Sequence, residues 1–162
     1  MKLKRRKRLI AFLWLLVIAV AAMIFFFSSQ TGKESAQTST GLAVFVMRLF
    51  VPGFDGLSAA EKAVYFDRLV YVVRKTAHFT EFAMLGASLR LLVHALGVRK
   101  PILIAWAAGT LYACTDELHQ MFVDGRGAMW QDVCIDSAGV LTAVLLVTLW
   151  LRWREKRKMK KG

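Results

Sequence analysis

The segment from Leu9 to Phe27 is an uninterrupted run of nineteen residues without a polar side chain. As an α-helix that rises about 1.5 Å per residue, it would be about 29 Å long, which is the thickness of one hydrocarbon core. The residues that follow, Phe27-Ser28-Ser29-Gln30, lack the small-x-small pattern of a signal-peptide cleavage site. The sequence therefore predicts a helix that remains in a membrane.

Three further apolar segments have the length of a membrane span. They cover about 76–96, 101–121 and 132–151, in addition to the run at 9–27. The 57% share of hydrophobic residues and the mean hydropathy of +0.47 lie above the range that is usual for soluble proteins. The predicted fold is an all-α membrane protein, a single domain over residues 1–162 built as a bundle of four transmembrane helices.

The positive charge of the chain is concentrated at its two ends. Of the net charge of +12, the basic tails 1–8 and 152–162 each carry about half, while the charges between them cancel. This distribution excludes a folded basic face, and with it a nucleic-acid partner. Basic clusters beside apolar runs mark the cytoplasmic side, so both termini and the turn at Arg99-Lys100 are predicted to be cytoplasmic. The predicted location is the cell membrane, with the lipid bilayer as the partner of a multi-pass protein.

A long segment of mixed polarity separates the first two predicted spans. Pro52-Gly53 divides it into two amphipathic pieces, and neither piece is long enough to cross a membrane. The first piece covers about 35–50, and the second opens with the capping-box pattern Ser58-x-x-Glu61. Both pieces are predicted to be short interfacial helices in the first extracytoplasmic loop.

The polar residues of the predicted spans gather on one side of the membrane. An ionisable group near the centre of a span costs about 2.5–3.5 kcal/mol, so its position carries information. The predicted topology brings polar residues from all four spans and from the last outer loop to the outer level, where we expect a binding cluster. The candidate residues are Gln30, Lys75, His78, Glu81, Asp116, Glu117, His119, Gln120, Arg126, Asp132 and Asp136.

Two pairs in this cluster have the spacing of metal ligands on a helix. His78 and Glu81 are three residues apart, as are Asp116 and His119, so the members of each pair share a helix face. Imidazole and carboxylate pairs of this kind bind metals in di-metal helical bundles. These four residues are therefore candidate metal ligands, although the spacing identifies neither a cofactor nor a reaction.

Five blocks that contain polar residues follow one another in a defined order along the chain. They are Phe27-Ser28-Ser29-Gln30, Lys75-x-x-His78-Phe79-x-Glu81-Phe82, Asp116-Glu117-x-His119-Gln120-x-Phe122, Gly125-Arg126 and Asp132-x-x-x-Asp136-x-x-Gly139. Over about residues 28–140, the set resembles the VanZ-like family of small multi-helix membrane proteins. That family is named for an accessory factor of bacterial glycopeptide resistance that lowers susceptibility to teicoplanin, a lipid-tailed antibiotic. The resemblance implies the cell envelope as the setting, and it supplies no reaction.

Three functions remain open from the sequence. In the first, the cluster is a pocket for a lipid-linked cell-wall precursor or a lipoglycopeptide, with Lys75 and Arg126 facing phosphate. In the second, His78 acts with Glu81 or Asp116 as acid and base, or with a metal, in an enzyme that modifies a lipid headgroup. In the third, the polar side chains only bond helix to helix. The sequence does not decide whether the chain is an enzyme.

Overall fold

A computed structural model describes residues 2–51 and 53–160 of the chain. No strand occurs within these ranges, which confirms the predicted all-α class. Besides a short 3-10 turn at Phe54–Gly56, these described residues form five α-helices. They are α1 (Lys2–Ser28), α2 (Gly32–Phe50), α3 (Ala59–Leu96), α4 (Pro101–Gln120) and α5 (Trp130–Met159).

Three helices among the described residues are long and apolar enough to cross a membrane. The qualifying segments are Leu3–Ser28, Leu69–Leu96 and Trp130–Met159. Their outer surfaces carry large apolar side chains, such as Phe12 and Leu15 of α1, which are 61% and 66% exposed. The structure therefore supports a membrane protein. The fourth predicted crossing, α4, does not qualify, because its last turns are polar, and the count of four crossings stays a prediction.

Helix α3 joins two helices that the sequence analysis treats as separate. The amphipathic piece that begins after Ser58 and the predicted span at 76–96 form one helix of 38 residues. Ser58 caps its start, since the Ser58 hydroxyl accepts from the amide of Glu61 at 3.3 Å, and it ends at Gly97, where φ is +73°. Arg74 and Lys75 interrupt the apolar pattern but not the helix, because neither residue breaks backbone hydrogen bonding. At about 57 Å, α3 is longer than a hydrocarbon core is thick.

Helix α2 packs against the N-terminal half of α3. Thr31 caps its start, where the amide of Thr31 donates to the carboxylate of Glu34 at 2.9 Å. Ser35, Ser39, Ala43 and Met47 recur every four residues and form its buried stripe. Because of this packing, α2 is one arm of a helical hairpin with α3, and the interfacial location of the hairpin stays a prediction.

The remaining helices form an up-and-down bundle. Tyr112 of α4 donates to the carbonyl of Ala21 of α1 at 2.7 Å, and further along both helices Ser28 donates to Asp116 at 2.8 Å, so α1 and α4 run in the same direction. Helices α3 and α5 also run together, as the pairs Lys75–Asp132 and Arg90–Thr148 show. The two pairs run in opposite directions, which places the start of α1, the α3–α4 turn and the end of α5 at one end of the bundle.

That end of the bundle carries the basic tails. The guanidinium group of Arg6 donates to the carbonyl oxygen of Ala95 at 3.2 Å. A cavity of about 510 Å³ beside this contact is lined by Arg6, His94, Trp150 and Arg154, among others. Both tails and the α3–α4 turn therefore lie on the same side of the protein.

The axes of α3 and α5 approach closely because glycines lie between them. A Cβ atom on Gly86 would lie 2.5 Å from the carbonyl oxygen of Val140, and one on Gly139 would collide with the carbonyl oxygen of Phe79. Small residues at such crossings let helix backbones touch in membrane proteins. The obstacle is backbone in both cases, so neither contact can be relieved by a side-chain rotation.

Gly139→Ala should destabilise the bundle, because the new methyl group must push α5 away from α3. Overpacking of this kind costs about 1–3 kcal/mol, which we expect to appear as a lower midpoint of thermal unfolding in detergent micelles. Gly41→Ala is the matched control, since a Cβ atom there meets nothing within 4 Å and alanine favours the helix. An equal loss in both variants would contradict the close α3–α5 contact.

Candidate functional site

The opposite end of the bundle contains a cluster of ionisable side chains from three helices. His78 of α3, Asp116 of α4 and Asp136 of α5 each have a ligand atom within 4.8 Å of the others. We refer to these three residues as the buried trio. Asp136 is fully buried and Asp116 is 4% exposed. The trio assembles only in the folded bundle, because its members come from distant parts of the chain.

Asp116 is held by two hydrogen bonds to one carboxylate oxygen. The hydroxyl of Ser28 donates to its Oδ2 at 2.8 Å, and the side-chain amide of Gln120 donates to the same oxygen at 3.0 Å. Gln120 follows Asp116 by one helical turn, while Ser28 is the last residue of α1. These bonds fix the orientation of the Asp116 carboxylate and leave its Oδ1 without a donor among the described residues.

Other polar atoms in the cluster are buried and lack a partner in the described part of the chain. They are both carboxylate oxygens of Asp136, the Nδ1 atom of His78 and the Oε1 atom of Glu117. The second oxygen of Glu117 accepts from the amide of Met129 at 2.9 Å, which ties the loop after α4 to that helix. Buried polar groups are almost always paired in native proteins, so an orphaned carboxylate requires an explanation.

Cations from α3 and from the loop before α5 border the trio. Lys75 forms an ion pair with Asp132 at the start of α5, with both side chains mostly buried. Arg126 is half-buried and donates to the carbonyl of Ser28 at 3.5 Å. Burial and the repulsion of Arg74 lower the pKa of the Arg126 guanidinium from its ordinary value, although an arginine still stays charged at neutral pH. An anion beside Arg126 would relieve this repulsion.

A small polar cavity opens among these cations. It has a volume of about 160 Å³ and is lined by side chains that include Arg74, His78, Gln120, Arg126 and Asp132. We refer to it as the polar cavity. The loop between α4 and α5 forms one side of the cavity. A hydrogen bond joins this loop to the start of α2, where the amide of Gly32 donates to the carbonyl of Asp124 at 3.0 Å. The cavity therefore has a fixed wall on the loop side and charged side chains on the α3 side.

An apolar groove lies next to the cluster, between α2 and α3. Its volume is about 500 Å³, and its walls include Leu42 and Val46 of α2 with Leu69 and Val73 of α3. We refer to it as the apolar groove. Glu81 lines one part of it and lies one turn beyond His78 on the same helix. Helix α3 thus contributes to the polar cavity and to the apolar groove.

The structure gathers most of the candidate residues and separates a few. Seven of them lie in the buried trio or beside it. The trio is His78, Asp116 and Asp136, and the residues that border it or the polar cavity are Lys75, Gln120, Arg126 and Asp132. Glu117 contacts the adjoining loop through Met129. Gln30 makes no side-chain hydrogen bond within the described residues, and Glu81 faces the apolar groove.

His119 lies apart from the buried trio. Its Nε2 atom is 3.2 Å from the hydroxyl of Ser29, and its ring lies 4.6 Å from that of Phe25. The Ser29 hydroxyl donates to the carbonyl of Phe25 at 2.7 Å, so it is available to His119 as an acceptor and not as an activated nucleophile. Of the two same-helix pairs expected to bind metal, the structure therefore brings together one member of each, His78 and Asp116, and adds Asp136.

Ser28 belongs to the cluster although it is not among the candidate residues predicted from the sequence. Gln30 was the expected contributor from the end of α1, yet Ser28 makes the contact with Asp116. A signal for Ser28 exists in the sequence, because it lies four residues after Ile24 and eleven after Val17, on the buried stripe of α1. Gln30 lies beyond the end of the helix, where this periodicity no longer applies.

The comparisons with known proteins give one match. Residues 12–151 match the family model described as VanZ/LLP1. This range contains most of the apolar part of α1, the hairpin, all of α4 and the part of α5 that holds Asp136. No curated protein and no solved structure matches the chain.

Ser28→Ala should destabilise the protein, because it removes a buried donor from Asp116. The expected loss is about 1–2 kcal/mol in the free energy of unfolding, measured by denaturant titration in micelles. Ser29→Ala is the matched control: its hydroxyl is exposed, and we expect a change within about 0.5 kcal/mol. Equal stabilities of the two variants would contradict the role assigned to Ser28.

Proposed function

The chain belongs to the VanZ/LLP1 family, and on that premise we propose that it contributes to glycopeptide (teicoplanin) tolerance in a bacterial cell envelope. We propose further that it binds a lipid-linked envelope component, or the lipidated antibiotic, at a polar pocket on the extracytoplasmic side. Both ligands combine a polar head with an apolar tail. The observation that carries the proposal is the polar cavity with two arginines beside the apolar groove.

The proposed topology has four crossings and both termini in the cytoplasm. Its support is the location of both basic tails and of Arg99-Lys100 at one end of the bundle. Helix α4 is then the fourth crossing, with Asp116, Glu117 and Gln120 buried against the other helices instead of facing lipid. In this orientation the buried trio, the polar cavity and the apolar groove all lie towards the outer surface.

The polar cavity suits an anionic headgroup. Arg126 has a planar guanidinium group that can bind two phosphate oxygens at once, and Arg74 lines the same cavity. Lys75 is already paired with Asp132, so it contributes less free charge. At about 160 Å³ the cavity has room for a phosphate but not for a complete headgroup with sugars. The rest of the headgroup would extend into solvent.

The apolar groove suits the tail of the same ligand. Leucine and valine side chains dominate its walls, and burial of a methylene group is worth about 0.8 kcal/mol. A few methylene groups in the groove would therefore add more to the affinity than one phosphate contact does in water. This requirement for a tail distinguishes the proposed ligand from free phosphate.

A second candidate function is an enzyme that modifies a lipid headgroup. The observation in its favour is the buried trio, since an imidazole and two carboxylates can hold a metal or transfer protons. The third candidate, a structural role without a ligand, predicts that every substitution in the cluster acts through protein abundance.

Arg126→Ala should abolish teicoplanin protection without lowering the amount of protein in the membrane, because it removes the headgroup cation but no buried pair. We expect at least about a fourfold fall in the inhibitory concentration, equivalent to about 0.8 kcal/mol of binding. Arg99→Ala is the matched control at the opposite end of the bundle. Susceptibility to a glycopeptide without a lipid tail should not change in either variant.

Two outcomes would contradict the binding proposal. One is unchanged protection in Arg126→Ala, and the other is loss of protection that follows loss of membrane abundance, as the structural role predicts. Mass spectrometry of lipid that co-purifies with the protein separates the two ligand sources. An enriched polyprenyl phosphate species that disappears in Arg126→Ala indicates the precursor, whereas direct binding of teicoplanin to lipid-free protein indicates the antibiotic.

A further inference from the structure

We propose that His78, Asp116 and Asp136 bind a divalent transition-metal ion. Their ligand atoms, one imidazole nitrogen and two carboxylate oxygens from three helices, lie within 4.8 Å of one another. Bonds of about 2.0–2.2 Å to a tetrahedral metal would place these atoms about 3.4 Å apart. Small side-chain rotations would therefore be enough to close the site, and no helix would have to move.

The orphaned atoms of the trio point to a bound cation. Both oxygens of Asp136 are buried without a partner among the described residues, and so is Nδ1 of His78. Lys75 pairs with Asp132, and Arg126 donates to Ser28, so neither of these side chains compensates Asp136. A buried carboxylate without a partner costs several kcal/mol. A divalent ion with two carboxylates and a neutral imidazole makes a site with no net charge.

The surroundings of Asp116 are those of a metal ligand. Ser28 and Gln120 both donate to Oδ2, which leaves Oδ1 without a donor among the described residues and available to bind an ion. Outer hydrogen bonds of this kind orient ligating carboxylates and are a general feature of metal sites. One donor lies on α1 and the other on α4, so hydrogen bonds from two helices orient the Asp116 carboxylate.

The ligand set indicates which ions fit. An imidazole with two carboxylates suits zinc, manganese or ferrous iron, whereas magnesium and calcium prefer oxygen ligands alone. Three protein ligands leave at least one coordination position for water or another oxygen. His78 also lines the polar cavity, so that position can be reached by solvent. The inference does not depend on the proposed lipid ligand, because the ion would bind to the protein alone.

The test is the metal content of the purified full-length protein. We expect about one zinc or manganese ion per chain after incubation with each ion and removal of excess, and a thermal unfolding midpoint that falls on chelation. His78→Gln and Asp136→Asn should each lose the ion and the response to the chelator. The matched controls, His119→Gln and Asp124→Asn, should retain both, because neither residue belongs to the trio.

Three results would overturn the inference: wild-type protein that binds no ion, trio variants that retain it, or control variants that lose it. If Asp136→Asn fails to fold, His78→Gln gives the same comparison, and the wild-type stoichiometry decides even if both fail. Headgroup binding at Arg126 is measured separately through co-purified lipid. A failure of the metal site is therefore distinguishable from a failure of the proposed function.

Discussion

The cost of placing a charge in hydrocarbon is the constraint on which the rest of this structure depends. A lipid bilayer offers no hydrogen bonds, so backbone groups must pair within helices and ionisable side chains must find partners inside the protein. The chain pairs its backbone groups within helices, and it places most of the bundle's charges at the two ends. One end carries the excess of lysine and arginine, and the other carries Asp116, Asp136 and their neighbours in the protein interior.

The two ends of the bundle differ in how their charges are compensated. At the basic end, the tails face solvent, and arginines lie over tryptophan rings, as in Arg154 with Trp150 and Arg157 with Trp153. At the opposite end, compensation comes from specific pairs, such as Lys75 with Asp132, and from donors such as Ser28. None of these specific pairs includes Asp136, whose two carboxylate oxygens lack a partner among the described residues. These oxygens are therefore available to bind a further ligand.

The sequence predicts the general architecture because hydrophobic length and charge bias act locally. The run at Leu9–Phe27 lies within α1, and most of the candidate residues converge at one end of the bundle, since a helical bundle carries residues of equal depth to one plane. The sequence predicts two helices where the structure has α3 alone, because the pattern changes from amphipathic to apolar at Arg74-Lys75, although nothing there interrupts the helix.

The details of the cluster depend on helix rotation, which a single sequence does not fix. Spacing along one helix favoured His78 with Glu81 and Asp116 with His119. Contacts across helices instead select His78, Asp116 and Asp136, because α3 and α5 approach closely at Gly86 and Gly139. The same rotation directs Ser28 to Asp116 and leaves His119 beside Phe25. The position of each residue along the bundle axis could be predicted from the sequence. Which neighbouring helix each side chain faces depends on how the helices pack, and the sequence alone does not give that.

We propose that the polar cluster lies at the outer surface of the membrane and the basic tails in the cytoplasm. Labelling of single cysteines in intact cells by a membrane-impermeant thiol reagent tests it most directly, after the exposed native Cys114 and Cys134 are replaced by serine. Asp124→Cys, in the loop beside the cluster, should react in intact cells, whereas Arg99→Cys should react only after permeabilisation. The reverse pattern, or reaction at both positions before permeabilisation, would contradict this orientation.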